Sequence, residues 1–265
     1  MILLSFDIEE FDFPIERGMK INHETQIKIS ADGVKSLLTL LKKHDIKATF
    51  YSTVVFAQNS PQLIKQIIDQ GHELASHGYS HHEFKDGDYL RSREELEKIS
   101  GSVITGYRTA RMMKTDFEEL IKAGYKYDSS LNPTLIPGRY NNLTKPKTIH
   151  HIGKIIEIPA SVLPIFRFPL FWISFHVLPI TLYNFLIGIT HKNDGYINIY
   201  LHPWEFNNNL KDKEFNIPSY VTKCSGDKLL DKLERFIYFC KIKGFAFSTT
   251  SAFIKSYQSQ NYTYK

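Results

Sequence analysis

The sequence predicts an α/β fold with a mostly parallel sheet covered by helices, either open or rolled into a barrel. Two observations predict it. Strand-like apolar runs alternate with amphipathic, helix-like segments along most of the 265 residues. Chemistry-bearing residues also recur at or just beyond the carboxyl ends of the strand-like runs: Asp7, His77, Arg108, Asp128 and His202. Parallel α/β sheets gather their functional groups at that edge. A chain of this length with 42% apolar residues can bury one large core, so residues 1–265 are expected to form one domain.

The elements follow in order. Ile2-Leu3-Leu4 opens a buried strand that runs into four carboxylates within six residues, Asp7, Glu9, Glu10 and Asp12. Residues 12–30 read as a long loop, after which Asp32 is expected to cap a helix carrying Val34, Leu37, Leu38 and Leu41 inward. A strand is expected over Lys47–Val54. Ser60-Pro61 then opens a helix that closes near Gly71, and His72–Ser76 is the next strand. After a polar break at 82–91, Ser92 with Glu95 and Thr115 with Glu118 read as capping boxes on either side of a strand at Val103–Tyr107. Further strands are expected at Tyr125–Tyr127, Ile155–Ile158 and Tyr196–Leu201. Asp227 is expected to cap a long helix that Gly244 stops, followed by a last strand at Phe245–Phe247. The polar tail 257–265 reads as frayed.

Composition narrows the function classes. The net charge of +5 comes from 33 basic and 28 acidic residues, and the lysines are scattered, so no nucleic-acid surface is expected. Cys224 and Cys240 lack metal-site spacing and read as ordinary thiols of a reducing compartment. No phosphate-binding glycine loop is present, which argues against a nucleotide cofactor. Met1–Leu4 lacks a basic flank and leads at once into acidic residues, so the expected location is the cytoplasm.

The motifs point to metal chemistry. If the first strand stays extended, Asp7 and Glu9 project to one side, where two carboxylates repel, perturb each other or share a cation. In Ser76-His77-Gly78-Tyr79-Ser80-His81-His82, His77 and His81 lie four apart and would share a face across a helical turn. With Glu9 they would make a three-ligand site that leaves a position for water. The alternative is a loop of solvated histidines, and His82 reads as a rim group. Arg108 follows a strand and can hold a carboxylate. Asp128 either anchors Arg108, lines the pocket or caps a turn. His202 leaves a long apolar strand just before Pro203 and Trp204, where it can serve as an acid.

Together these segments resemble the polysaccharide deacetylase family, also called the NodB-homology or carbohydrate esterase family 4 group. Leu4-Ser5-Phe6-Asp7-Ile8-Glu9 is similar to its first motif in the branch that separates base and metal acid by one residue. His77-Gly78-Tyr79-Ser80-His81 is similar to its His-x-x-x-His motif. Gly106-Tyr107-Arg108-Thr109-Ala110 resembles the arginine motif, Tyr127-Asp128-Ser129-Ser130 the segment after it, and Tyr200-Leu201-His202-Pro203-Trp204-Glu205 the last histidine motif. The resemblance spans roughly residues 2–206 and implies a distorted (β/α) barrel. It implies Asp7 as catalytic base, Glu9, His77 and His81 as ligands, Arg108 as the partner orienting Asp7, and His202 as catalytic acid. The Tyr107-Arg108 backbone would help to hold an oxyanion. Tyr79, Tyr107, Asp128 and Trp204 would contact substrate. The cofactor implied is one divalent ion, zinc first, with cobalt, manganese or nickel as alternatives. Glu9 stands where the family more often has Asp, and Ala110 with Arg111 where it has proline.

The activity implied is metal-dependent removal of an acyl group, N-acetyl first, from an amino sugar in a saccharide or lipid-linked saccharide. Formyl amides and acetyl esters follow the same route and stay open. The apolar run at about 160–190, which includes Arg167, His176 and several prolines, does not read as a transmembrane helix. It reads as an insertion or cover, either packed core or a flap facing substrate or membrane. A lipid-linked precursor at the inner face of the membrane, with peripheral membrane contact, fits that stretch. The alternative from another class is an inactive carbohydrate- or partner-binding protein on the same fold.

Overall fold

The computed structural model describes residues 1–211 and 215–262. Strands β1 (Ile2–Ile8), β2 (Thr49–Ser52), β3 (Glu73–Ser76), β4 (Gly106–Tyr107) and β5 (Tyr127–Asp128) follow one another across the sheet. A small hairpin, β6 (Leu135–Ile136) and β7 (Tyr140–Asn141), stands apart. β8 (His150–Ile152) and β9 (Ile155–Glu157) return to the sheet, followed by β10 (Ile197–Leu201) and β11 (Phe247–Ser248). The order is β10-β1-β2-β3-β4-β5-β9-β8, with β11 beside the start of β1, and every pairing is parallel except β8 with β9. The two ends of this curled sheet meet through Asn198 of β10. Its side-chain amide donates to the carbonyls of Ile158 and Pro159 just past β9, each at 3.1 Å, and its main-chain carbonyl accepts from Ser161 N–H at 2.8 Å. The result is a half-open, distorted barrel.

The helices are α1 (Phe13–Glu16), α2 (His23–Lys43), α3 (Val54–Asn59), α4 (Pro61–Asp69), α5 (Asp88–Ser100), α6 (Phe117–Lys122), α7 (Trp172–Val177), α8 (Ile180–Asp194), α9 (Ser219–Thr222), α10 (Asp227–Ile242) and α11 (Thr250–Tyr262). Strand alternation divides β1 between two environments. Ile2, Leu4, Phe6 and Ile8 join the core beneath α2 and α10, whereas Leu3 packs with Tyr51, Tyr127 and α11. Ser5 and Asp7 share the parity of Leu3, and so face the barrel interior. α11 lies across the strand starts: Thr250 N–H donates to Thr49 Oγ1 and Ser251 N–H to Glu73 Oε2. The opposite, carboxyl edge holds the site.

Several boundaries differ from expectation, each for a local reason. The loop expected at 12–30 contains α1 and the start of α2. Asn22 caps α2 by accepting from Thr25 N–H at 2.7 Å, and Asp32 lies inside the helix, paired with Lys28 and Lys35. Ser92 is interior to α5, bonded back to the Asp88 carbonyl, and that helix starts instead after Gly87. Asp116, not Thr115, caps α6, while Thr115 is buried against Thr109 and Asp128. Asp227 makes no side-chain cap. Val103 is 77% exposed, so the fourth strand shrinks to Gly106–Tyr107. The last strand is Phe247–Ser248. The tail expected to fray is helical through Tyr262, and residues 263–265 lie outside the described residues. Both cysteines are free.

Residues 160–190 form an irregular turn closed by a bridge between Val162 and Pro169, then α7 and α8. Phe175 and Tyr183 pack on Phe236 of α10, which anchors the segment. Ile165, Phe166 and Phe185 remain 88%, 79% and 63% exposed. Among the described residues, no helix is long and apolar enough to cross a membrane.

Candidate metal-centred active site

Four strand ends build the cleft. Asp7 and Glu9 come from the end of β1, with parity that keeps both inward. His77 follows β3. Gly78 then turns at φ +89°, and its carbonyl and that of Tyr79 accept the N–H groups of Val54 and Val55. This loop, rather than the expected helical turn, brings His77 and His81 together with their rings stacked at 5.7 Å. Arg108 follows β4, and His202 and Trp204 follow β10. The last of these turns is fixed by a close approach from α2: a Cβ on Gly33 would fall 1.8 Å from the Pro203 carbonyl oxygen, so only glycine lets the helix sit there.

Glu9, His77 and His81 are buried, and one ligand atom from each lies within 4.8 Å of the others. Glu9 Oε2 is 2.9 Å from His81 Nε2 and 3.4 Å from His77 Nε2. The far nitrogens are anchored: His77 Nδ1 by the Arg108 carbonyl at 2.9 Å, His81 Nδ1 by Asp12 Oδ1 at 3.0 Å. Such anchoring aims each Nε2 lone pair at the common point, as outer partners do for metal-binding histidines. Glu9 Oε1 accepts from Trp204 Nε1 at 3.0 Å, while Oε2 is buried without a hydrogen-bond partner. Two imidazoles, one carboxylate and an orphaned carboxylate oxygen fit a divalent cation.

The electrostatics support this. Burial works against the charge on Glu9, but the charges of His81 and His202 and the close Nε2 atoms of His77 and His81 hold its carboxyl well below the usual range. Burial likewise opposes the charge on His81, and Glu9 and Asp12 reverse it, lifting the imidazole well above its ordinary value. Glu9 and Asp12 thus favour positive charge at this point, whether a proton on His81 or a cation in its place.

Asp7 sits beside this centre. Its Oδ1 accepts from Arg108 Nη1 at 2.6 Å, and Arg108 is wholly buried. The guanidinium also reaches Ser5 Oγ, the Ser129 carbonyl and Ser129 Oγ, and lies 3.9 Å over the Tyr51 ring. Burial disfavours its charge, but Asp7 and the Tyr51 surroundings outweigh that and raise its pKa. On the other wall, His202 Nδ1 lies 2.6 Å from Glu205 Oε1, with its ring stacked on Trp204 at 5.2 Å and edge-on to Trp172 at 5.4 Å. Burial lowers its affinity for a proton, yet Glu9 and Glu205 together lift it to about 9.

Three residues expected to touch substrate do not line this cleft. Tyr107 ends β4 and Arg108 continues its ladder through an N–H to the Ser76 carbonyl, so the two side chains point opposite ways, and Tyr107 packs in the core between Tyr89 and Tyr125. Asp128 has the parity opposite to the inward Tyr127. It accepts from Ser130 and Thr115 and shares a second, neighbouring cavity with Glu157, while Arg108 bonds Ser129 instead. Burial, then the charge of Asp128, pushes the Glu157 carboxyl well above its ordinary value. Tyr79 packs against the core beneath the Arg91 guanidinium. Trp204 does line the cleft. The Arg108 N–H donates to the Ser76 carbonyl, so it is not free for an oxyanion. His82 is a rim group, with its side chain 64% exposed.

The structure adds residues that the motifs did not mark. Asp12 joins His81 to Arg111, whose guanidinium also pairs with Glu16, so the charge next to Ala110 is neutralised. Glu205 Oε2 meets His176 Nε2 at 3.1 Å. The three-residue spacing from His202 to Glu205 was a visible signal; nothing local marked His176.

The fold and site define a half-open α/β barrel with a two-histidine, one-carboxylate centre at its carboxyl edge. A polysaccharide deacetylase family model matches residues 16–115. The chain is 33% identical over 108 residues to the peptidoglycan deacetylase of Helicobacter pylori, a match covering 37% of each chain. That match spans little more than a third of the relative's length. In fold it is similar to Puue allantoinase, with a TM-score of 0.68 at 15% identity, covering 97% of this chain and 90% of that one. It is also similar to a CE4 family pseudoenzyme from Bacillus anthracis, at TM-score 0.53 and 13% identity, covering 95% and 64%.

Proposed function

We propose that this chain is a metal-dependent hydrolase that removes an acyl group, N-acetyl first, from an amino sugar of a saccharide. The observation that carries the reading is the convergence of Asp7, Glu9, His77, His81 and His202 on one cleft. Glu9, His77 and His81 would hold the ion, zinc by the character of the donor set, with cobalt, manganese and nickel as alternatives. When bound, that ion supplies Lewis acidity and lowers the pKa of water. Asp7, fixed by the always-charged Arg108, takes the proton of the attacking water. His202, held through Nδ1 by Glu205, gives a proton to the departing nitrogen. Trp204 and Trp172 wall the cleft against bulk water, and the half-buried Trp172 offers surface against which a sugar can pack.

The proposal extends to a lipid-linked saccharide handled in the cytoplasm at the inner face of the membrane. The exposed Ile165 and Phe166, on the segment that leads into Trp172, support that extension. Metal content measured alongside acetate or formate release from a panel of acylated amino sugars, with and without chelator, tests the function. Chelator-sensitive release is expected, greater on lipid-linked than on delipidated polymers. Sugar binding without release would leave a binding protein on this scaffold.

A further inference from the structure

We propose that His176 is a positioning residue for His202, acting through Glu205, an inference that rests on the hydrolase reading above. Glu205 is fully buried, and its two oxygens are divided between two histidines: Oε1 lies 2.6 Å from His202 Nδ1, and Oε2 3.1 Å from His176 Nε2. A carboxylate can rotate about its last bond. A donor on Oε2 stops that rotation and presents Oε1 to Nδ1. His202 is thereby held with its Nδ1 proton on Glu205 and its Nε2 turned to the cleft, the orientation a proton donor to substrate requires.

The surroundings leave His176 little other purpose. Its side chain is completely buried, two residues from the buried Ser174, in the segment that also buries Leu170, Phe171, Phe175 and Tyr183. A polar side chain placed there must find a partner or impose a desolvation cost. Its Nε2 finds Glu205, and its Nδ1 has no hydrogen-bond partner. A wholly apolar residue would have packed without that orphaned nitrogen. Trp172, one helical turn before His176 on α7, contacts both His176 at 6.1 Å and His202 at 5.4 Å, ring centre to ring centre. The segment expected from the sequence to be a cover thus supplies one wall of the cleft and the partner that orients its acid.

The test compares His176→Phe, which keeps a ring without a donor, with His176→Gln, whose amide nitrogen can take the place of Nε2. Two readouts are needed. The first is the nitrogen-15 spectrum of histidine-labelled protein, with the His202 signals assigned by their loss in His202→Gln. The second is kcat and KM for acyl release. At a pH high enough to leave His202 neutral, the native protein should show one His202 tautomer, protonated at Nδ1. His176→Phe should mix the tautomers and lower kcat by about 10-fold with KM nearly unchanged, and His176→Gln should restore most of both. A native-like tautomer and kcat in His176→Phe would overturn the proposal, as would a Gln variant as impaired as the Phe variant. If the native protein released no acyl group at all, the hydrolase reading would fail on its own, while the tautomer spectra would still decide whether His176 orients His202.

Discussion

Replacing Asp7 with asparagine separates base from ligand, because the change keeps the shape and removes the charge. Arg108 is wholly buried and Asp7 is 2% exposed, with 2.6 Å between Nη1 and Oδ1. Removing one partner of a buried ion pair typically costs about 3–5 kcal/mol. Here Asn keeps an oxygen acceptor, and Arg108 retains Ser5, the two Ser129 oxygens and the Tyr51 face. The expected cost is therefore smaller, about 1–3 kcal/mol, or a fall in Tm of roughly 3–9 °C for a chain of this size. The chemistry should suffer more: a general base contributes about 100-fold to 10,000-fold, so kcat/KM should drop by at least roughly 100-fold. Since Asp7 is outside the Glu9-His77-His81 cluster, metal stoichiometry should not change. Acyl release and metal content measured on the same Asp7→Asn sample decide the matter. Turnover within about threefold of native at full metal occupancy would refute Asp7 as the base, by the size of effect a base must have. Loss of the metal would make Asp7 a ligand.

Three further outcomes are expected. A proton on His81 competes with the cation, so metal affinity should weaken by roughly tenfold per pH unit on acidification below neutrality, measured by chelator competition. His72 is buried, and burial, then Lys47, lowers its pKa to about 4. Above about 6.5 it is neutral folded or unfolded; as pH falls toward 4 only the unfolded chain takes the proton, so stability is lost over that window. Urea titrations at pH 7 and pH 4.5 should show a loss smaller by about 2 kcal/mol in His72→Phe than in the native protein. An equal loss in both would show that other groups carry the acid sensitivity. Gly33→Ala should cost about 1–3 kcal/mol or more and reduce turnover, because its methyl group collides with the Pro203 carbonyl and must push α2 away from the turn that carries His202. Unchanged Tm and kcat would contradict that close approach.

The sequence alone determined the features whose cause is local. The alternation of apolar runs and amphipathic segments forecast the parallel sheet, and strand periodicity placed Asp7 and Glu9 on one side. The His77-x-x-x-His81 spacing and the segment from Tyr200 to Glu205 supplied two walls of the site, and the family resemblance assembled them. Elements were misplaced where a cap could be satisfied by more than one nearby side chain: Asn22 rather than Asp32, Asp116 rather than Thr115. Capping spends one acceptor on two or three N–H groups, and short polar residues are common enough that spacing does not choose between them.

Tertiary structure decided which groups meet. Alternation along β4 and the residue after it turned Tyr107 into the core once Arg108 pointed inward, and alternation along β5 took Asp128 away from Arg108 to Thr115 and Ser130, in the cavity it shares with Glu157. Asp12 reaches His81 across 69 positions, and His176 reaches Glu205 from a different wall of the barrel. Such pairs leave no period or spacing in the sequence, because a hydrogen bond depends on where two backbones cross and not on how far apart they lie along the chain. The composition of the 160–190 run marked it as apolar. Only its packing on Phe236 and its delivery of Trp172 and His176 to the cleft make it part of the site.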